Sequence, residues 1–109
     1  MTRSRFVRDI AVRVLANLRE RLGDSWEELE LPDRELIIAC AADAAELQVR
    51  ALGTPATADA QLALLREKAQ IQAQLANLAA VGKVRISNAF WDAVKVVVNG
   101  GVAIAFAAL

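Results

Sequence analysis

Residues 4–22, SRFVRDIAVRVLANLRERL, decide the fold class of this chain. Its apolar residues recur at every fourth position: Phe6, Ile10, Val14, Leu18 and Leu22. That spacing follows one face of an α-helix, and charged residues fill most of the opposite face. We therefore predict an amphipathic first helix with one face in a core. Gly23 comes directly after it and is typical of the residue that ends a helix.

A short turn and a second helix are predicted next. Ser25 and Glu28 have the spacing of a capping box, so they indicate a single helical turn. Pro32 ends that turn and favours the start of a helix over residues 33–52, with Leu31 or Asp33 near its N-cap. The apolar face of this second helix contains many alanines.

Two more helices are predicted in the second half of the chain. Thr54 or Thr57 is expected to cap a long third helix that reaches at least Val81. Gly82 either ends that helix or only weakens it. A fourth helix is predicted from about residue 89, with residue 87 or 88 as its cap.

The composition supports an all-α protein. Hydrophobic residues make up 56% of the chain and aromatic residues only 5%, and much of the excess is alanine, a strong helix former. We predict a single domain built as a small bundle of about four helices, with a long third helix and an apolar C-terminal helix. Residues 1–53 would form an amphipathic hairpin, and residues 54–109 would form the long helix and the C-terminal helix.

Several classes of chemistry are excluded by the residues that the chain lacks. It has no histidine and no tyrosine, which removes imidazole-based triads, metal sites and proton shuttles. Its single cysteine, Cys40, lies on an apolar helix face and is typical of a small buried hydrophobe. The acidic residues between Glu27 and Glu35 do not have the spacing of a calcium-binding loop. We predict a non-enzymatic protein with no cofactor, no metal and no small-molecule substrate.

Charge is segregated along the chain although the formal net charge is +0. Residues 1–22 contain six arginines and two acids, whereas residues 23–35 contain six acids and one arginine. The balance argues against nucleic-acid binding by bulk charge. The two segments are expected to pair with each other, within one chain or between neighbours, or the first helix offers a basic contact patch. That patch would consist of Arg3, Arg5, Arg8 and Arg13.

The polar positions of the third helix are mostly neutral amides. They are Gln61, Gln70, Gln72, Gln74 and Asn77. A solvent-exposed helix face usually contains Glu and Lys, and a buried charge at an interface is costly. The amides therefore favour a surface that meets another protein chain.

The last fourteen residues, 96–109, contain no charge. A helix that is apolar on all sides is buried in protein or in lipid. Fourteen residues span only about 21 Å, short of a hydrocarbon core of roughly 30 Å. Extending the helix back to residue 89 makes it long enough to cross that core, but the longer helix includes two charged residues, Asp92 and Lys95. Three interpretations stay open: a central core helix, an interface between copies, or a membrane insertion.

We predict that the chain is a structural or assembly protein. It would form a homo-oligomer, or pack against other protein subunits of a phage or secretion particle, through its third and fourth helices. The alternative is a small membrane-associated or pore-forming protein of the holin kind. No apolar leader is seen at the N-terminus, so synthesis is expected in the cytoplasm without a cleaved signal peptide. The predicted interface residues are Gln70, Ile71, Gln74, Leu75, Asn77, Leu78, Trp91, Val98, Gly100, Gly101, Val102, Ile104 and Phe106.

Overall fold

The computed structural model describes residues 5–53, 55–79 and 82–108, and their side chains except those at 52, 98 and 101–108. Within these ranges the chain forms five helices: α1 (Arg5–Leu22), α2 (Asp24–Glu27), α3 (Leu31–Leu52), α4 (Ala58–Leu75) and α5 (Lys83–Ala108). The predicted all-α bundle is confirmed.

The core lies where α1, α3 and α5 meet. α1 packs along both α3 and α5, and α4 packs mainly on the side of α3. The largest fully buried side chains are Val14, Leu18, Ile37, Cys40, Leu75 and Phe90. On α3, Ala41, Ala44 and Ala45 have no exposed surface. These small side chains let the neighbouring helices approach α3 closely.

Two predicted helix boundaries are confirmed by their local geometry. α1 ends at Leu22, and Gly23 has a φ of 56°, a value that glycine adopts without steric cost. Thr57 precedes α4, and its hydroxyl oxygen accepts a hydrogen bond from the backbone N–H of Ala60 at 3.2 Å. This bond satisfies one of the free donors at the start of the helix.

The predicted capping box at Ser25 and Glu28 is wrong. Ser25 lies inside α2, Gly23 is the residue before that helix, and no side chain caps its N-terminus. The turn is held instead by the burial of Trp26 and Leu29. α3 also starts slightly earlier than predicted, after Glu30, with a proline in its first turn.

The predicted third helix is too long. α4 ends at Leu75, before the expected limit at Val81, a residue that lies outside the described ranges. After Leu75 the backbone turns, and the N–H of Leu78 donates to the carbonyl of Leu75 at 3.2 Å. The Asp33 carboxylate of α3 then accepts a hydrogen bond from the N–H of Ala79 at 3.2 Å. A contact that is distant in sequence therefore holds the segment that follows α4.

The predicted start of the fourth helix is also wrong. α5 begins at Lys83, directly after Gly82, whose φ of 81° is a value that glycine adopts without steric cost. The helix starts early because it buries Ile86 and Phe90, one turn apart, in the core. Ser87, which we expected to cap the helix, lies inside it and is 6% exposed.

We expect Leu18→Ala to lower the free energy of unfolding by about 2–5 kcal/mol, because it leaves a cavity at a fully buried position of α1. Val12→Ala is the matched control, since Val12 lies on the same helix and is 64% exposed. The control should change stability by no more than about 0.5 kcal/mol. Urea unfolding followed by circular dichroism measures both values. Equal effects would contradict the described core.

Candidate functional site

The predicted interface residues from Gln70 to Leu78 lie in the last turns of α4 and in the turn that follows it, and they differ in exposure. Ile71, Leu75 and Leu78 are 4%, 0% and 3% exposed, so they belong to the core of the single chain. Gln70 and Asn77 are exposed to solvent. Of the predicted interface residues between Gln70 and Leu78, only these two polar residues are exposed to another chain.

The predicted interface residues of α5 are only partly described. Trp91 is half-buried and Gly100 is exposed. The side chains of the remaining members lie outside the described residues: Val98, Gly101, Val102, Ile104 and Phe106.

Two of the neutral amides of α4 bind inside the chain. The Gln72 side chain donates a hydrogen bond to the Ser87 hydroxyl oxygen at 2.8 Å and accepts one from the indole N–H of Trp91. The Lys68 ammonium lies 5.2 Å from the centre of the Trp91 ring, within cation–π distance. Gln72 therefore joins α4 to α5. Sequence reasoning missed this contact, because nothing in the pattern of amides identifies the residues that Gln72 binds.

Gln74 is the second amide of α4 that binds inside the chain, and its partner is Cys40 of α3. The thiol donates to the amide oxygen of Gln74 over 3.6 Å. Burial, together with the nearby Asp43 carboxylate, raises the pKa of the Cys40 thiol to about 11. The high pKa agrees with the interpretation of Cys40 as a core residue, since the thiolate is the reactive form.

A second apolar face of α4 points away from the core. Leu62 and Leu65 are 46% and 61% exposed. Ala58 and Ala69 are also exposed, one turn before and one turn after this pair. At about 100° per residue, these four side chains lie between about 120° and 180° around the helix axis from Ile71. We call Ala58, Leu62, Leu65 and Ala69 the outer stripe.

Polar side chains flank the outer stripe on both sides. Asp59 and Arg66 lie on one flank, and Gln61 and Lys68 lie on the other. An apolar strip between polar flanks is the arrangement of a helix that packs against another helix. The spacing of 4, 3 and 4 residues along the outer stripe is visible in the sequence. Sequence reasoning did not identify the outer stripe, because Ile71, Leu75 and Leu78 form a second apolar pattern that predicts a different buried face.

The predicted basic patch on α1 is exposed but spread around the helix. Arg5, Arg8 and Arg13 are all exposed, whereas Arg3 lies outside the described residues. Arg8 and Arg13 are five residues apart, so they point about 140° away from each other.

Arginines from α1 and α3 surround the indole of Trp26. The guanidinium groups of Arg19 and Arg34 lie 5.6 Å and 5.9 Å from the centre of its ring. Arg34 also approaches Glu27 at 3.8 Å, which is a contact inside the acidic segment. At these positions arginine side chains help to hold α2 against the bundle.

Within the described part of the chain, no three His, Cys, Asp or Glu residues are grouped closely enough to hold a metal ion. Among the same residues, no helix combines the length and the apolar character needed to cross a membrane. Comparison with protein-family models, curated proteins and solved structures finds no match for this chain.

We expect Cys40 to resist alkylation in the folded protein. With a pKa of about 11, only about one thiol in a thousand is ionised at pH 8, and the side chain has no exposed surface. Iodoacetamide should react more than about a hundredfold more slowly with the folded chain than with the chain in guanidinium chloride. Mass spectrometry of quenched samples measures the two rates. Equal rates would contradict the burial of Cys40 between α3 and α4.

Proposed function

We propose that this chain is a non-enzymatic assembly protein that associates with itself or with other protein subunits through the outer stripe of α4. The observation that supports this most directly is the exposure of Leu62 and Leu65 on the side of α4 away from the core. Full burial of a leucine side chain is worth about 1.5–3 kcal/mol. Each of these half-exposed leucines therefore offers on the order of 1 kcal/mol to a partner that covers it.

The packing of α4 supports the same proposal. Between residues 58 and 70 no residue of α4 is buried, and the first buried side chain is Ile71. This part of the helix is nevertheless held against the bundle, because Leu64 packs against the core and Arg50 of α3 forms a salt bridge with Glu67 at 2.7 Å. A helix that is already ordered loses little conformational entropy when a partner covers it.

The part of α5 around Asn99 lies near the C-terminal part of α3 and near Lys68 of α4. Gln48, close to the C-terminus of α3, lines one groove together with Lys95 and Asn99 of α5. α4 starts six residues after α3 ends, so its first turn is joined by a short connection to the end of α3 that lines this groove. The uncharged stretch from residue 96 begins here with Val96, which is 50% exposed. We propose that this part of α5 adds apolar surface to the assembly interface.

The proposal is tested by static light scattering of the whole chain without detergent, over a range of concentrations. We expect a mass that rises with concentration above the 11.7 kDa of one chain. Leu62→Lys should return the mass to that of one chain, because it places a charge in the outer stripe.

Val12→Lys is the matched control, because it adds the same charge to an exposed aliphatic position of α1. It should leave the mass of the assembly unchanged, and circular dichroism should show that both variants fold. A mass of one chain at every concentration would contradict the proposal. So would an assembly that forms only when lipid or detergent is added, which would favour membrane association.

A further inference from the structure

We propose that the partner of the outer stripe is the outer stripe of a second copy of this chain, packed antiparallel around a two-fold axis. This inference rests on the proposed assembly function and names the partner and its direction. The axis would pass between Leu62 and Leu65, near the middle of the stripe.

The order of side-chain sizes along the stripe supports self-pairing. It reads small, large, large, small: Ala58, Leu62, Leu65, Ala69. An antiparallel pair would place Leu62 against Leu65 of the second copy and Ala58 against Ala69 of the second copy. Each layer then matches in size, and the alternating spacing of three and four residues is that of a coiled-coil seam.

The charges beside the stripe select the antiparallel direction. Asp59 and Arg66 are both exposed, lie on the same flank and are seven residues apart. In the antiparallel pair, Asp59 lies beside Arg66 of the second copy, and the two-fold axis repeats this contact. A parallel pair would place Arg66 beside Gln61 and leave Asp59 without a basic neighbour. Opposite charges at such flanking positions set the orientation of paired helices.

The size of the stripe predicts the strength of the pairing. Residues 58–69 span about 18 Å of helix, so the contact falls below the roughly 1,200 Å² of a standard stable interface. We therefore expect a dimer that exchanges with monomer, with a dissociation constant in the micromolar range or weaker.

Cysteine cross-linking tests the direction. The variants are Ala58→Cys, Ala69→Cys and the double variant with both changes, and Cys40 stays in place because it is buried. Each chain is oxidised with diamide and examined on a non-reducing gel. The antiparallel pair predicts a covalent dimer for the double variant and little for either single variant. A covalent dimer from each single variant would show parallel pairing and overturn the inference.

Charge reversal tests the same geometry without a covalent bond. Asp59→Arg and Arg66→Asp should each weaken the dimer about tenfold, because each places like charges together twice. The double reversal should restore the dissociation constant of the unchanged protein. Equal weakening by all three variants would contradict the predicted pairing of Asp59 with Arg66.

The failure of this inference differs from the failure of the proposed function. If the unchanged protein assembles but the double cysteine variant gives no covalent dimer, the antiparallel pair is wrong and the assembly function stands. If the unchanged protein has the mass of one chain at every concentration, both are wrong.

Discussion

The packing of the last two turns of α4 against α3 determines which surface of this protein faces outward. Ile71 and Leu75 enter the core, and the Gln74 amide accepts a hydrogen bond from Cys40 between them. Asp33 binds the backbone just beyond the helix, and Arg50 pairs with Glu67 nearer its start. Because these contacts fix the rotation of α4 about its axis, Leu62 and Leu65 have to point away from the bundle.

The first half of α4 contributes little to the core of a single chain, since Leu64 packs against it only partly buried and no residue of that half is fully buried. α1, α3 and α5 already bury their apolar faces against one another, and the alanines of α3 leave little volume to fill. Leucines on the outer side of α4 add nothing to that core, yet they lie in a row on an ordered helix. Exposed apolar side chains that are scattered singly need no explanation, whereas a continuous row between polar flanks is typical of an interaction surface.

The sequence predicts most of the fold but not which face of α4 is buried. α1 follows from the four-residue period of its apolar side chains, and Gly23 and Thr57 mark helix ends through local chemistry. The turn after Leu75 could not be predicted, because its residues favour helix and the contact from Asp33 is distant in sequence. α4 contains two apolar patterns, and only its tertiary contacts decide that Ile71 faces the core while Leu62 faces outward.

The central claim is that the outer stripe of α4 is covered in the assembled protein. Hydrogen–deuterium exchange measured at low and at high protein concentration tests it most directly, with α1 as the internal reference. Association suppresses the local opening of the helix that it covers, so exchange over residues 58–69 should slow as the concentration rises while exchange over α1 stays constant. Exchange over residues 58–69 that is the same at all concentrations would contradict the claim.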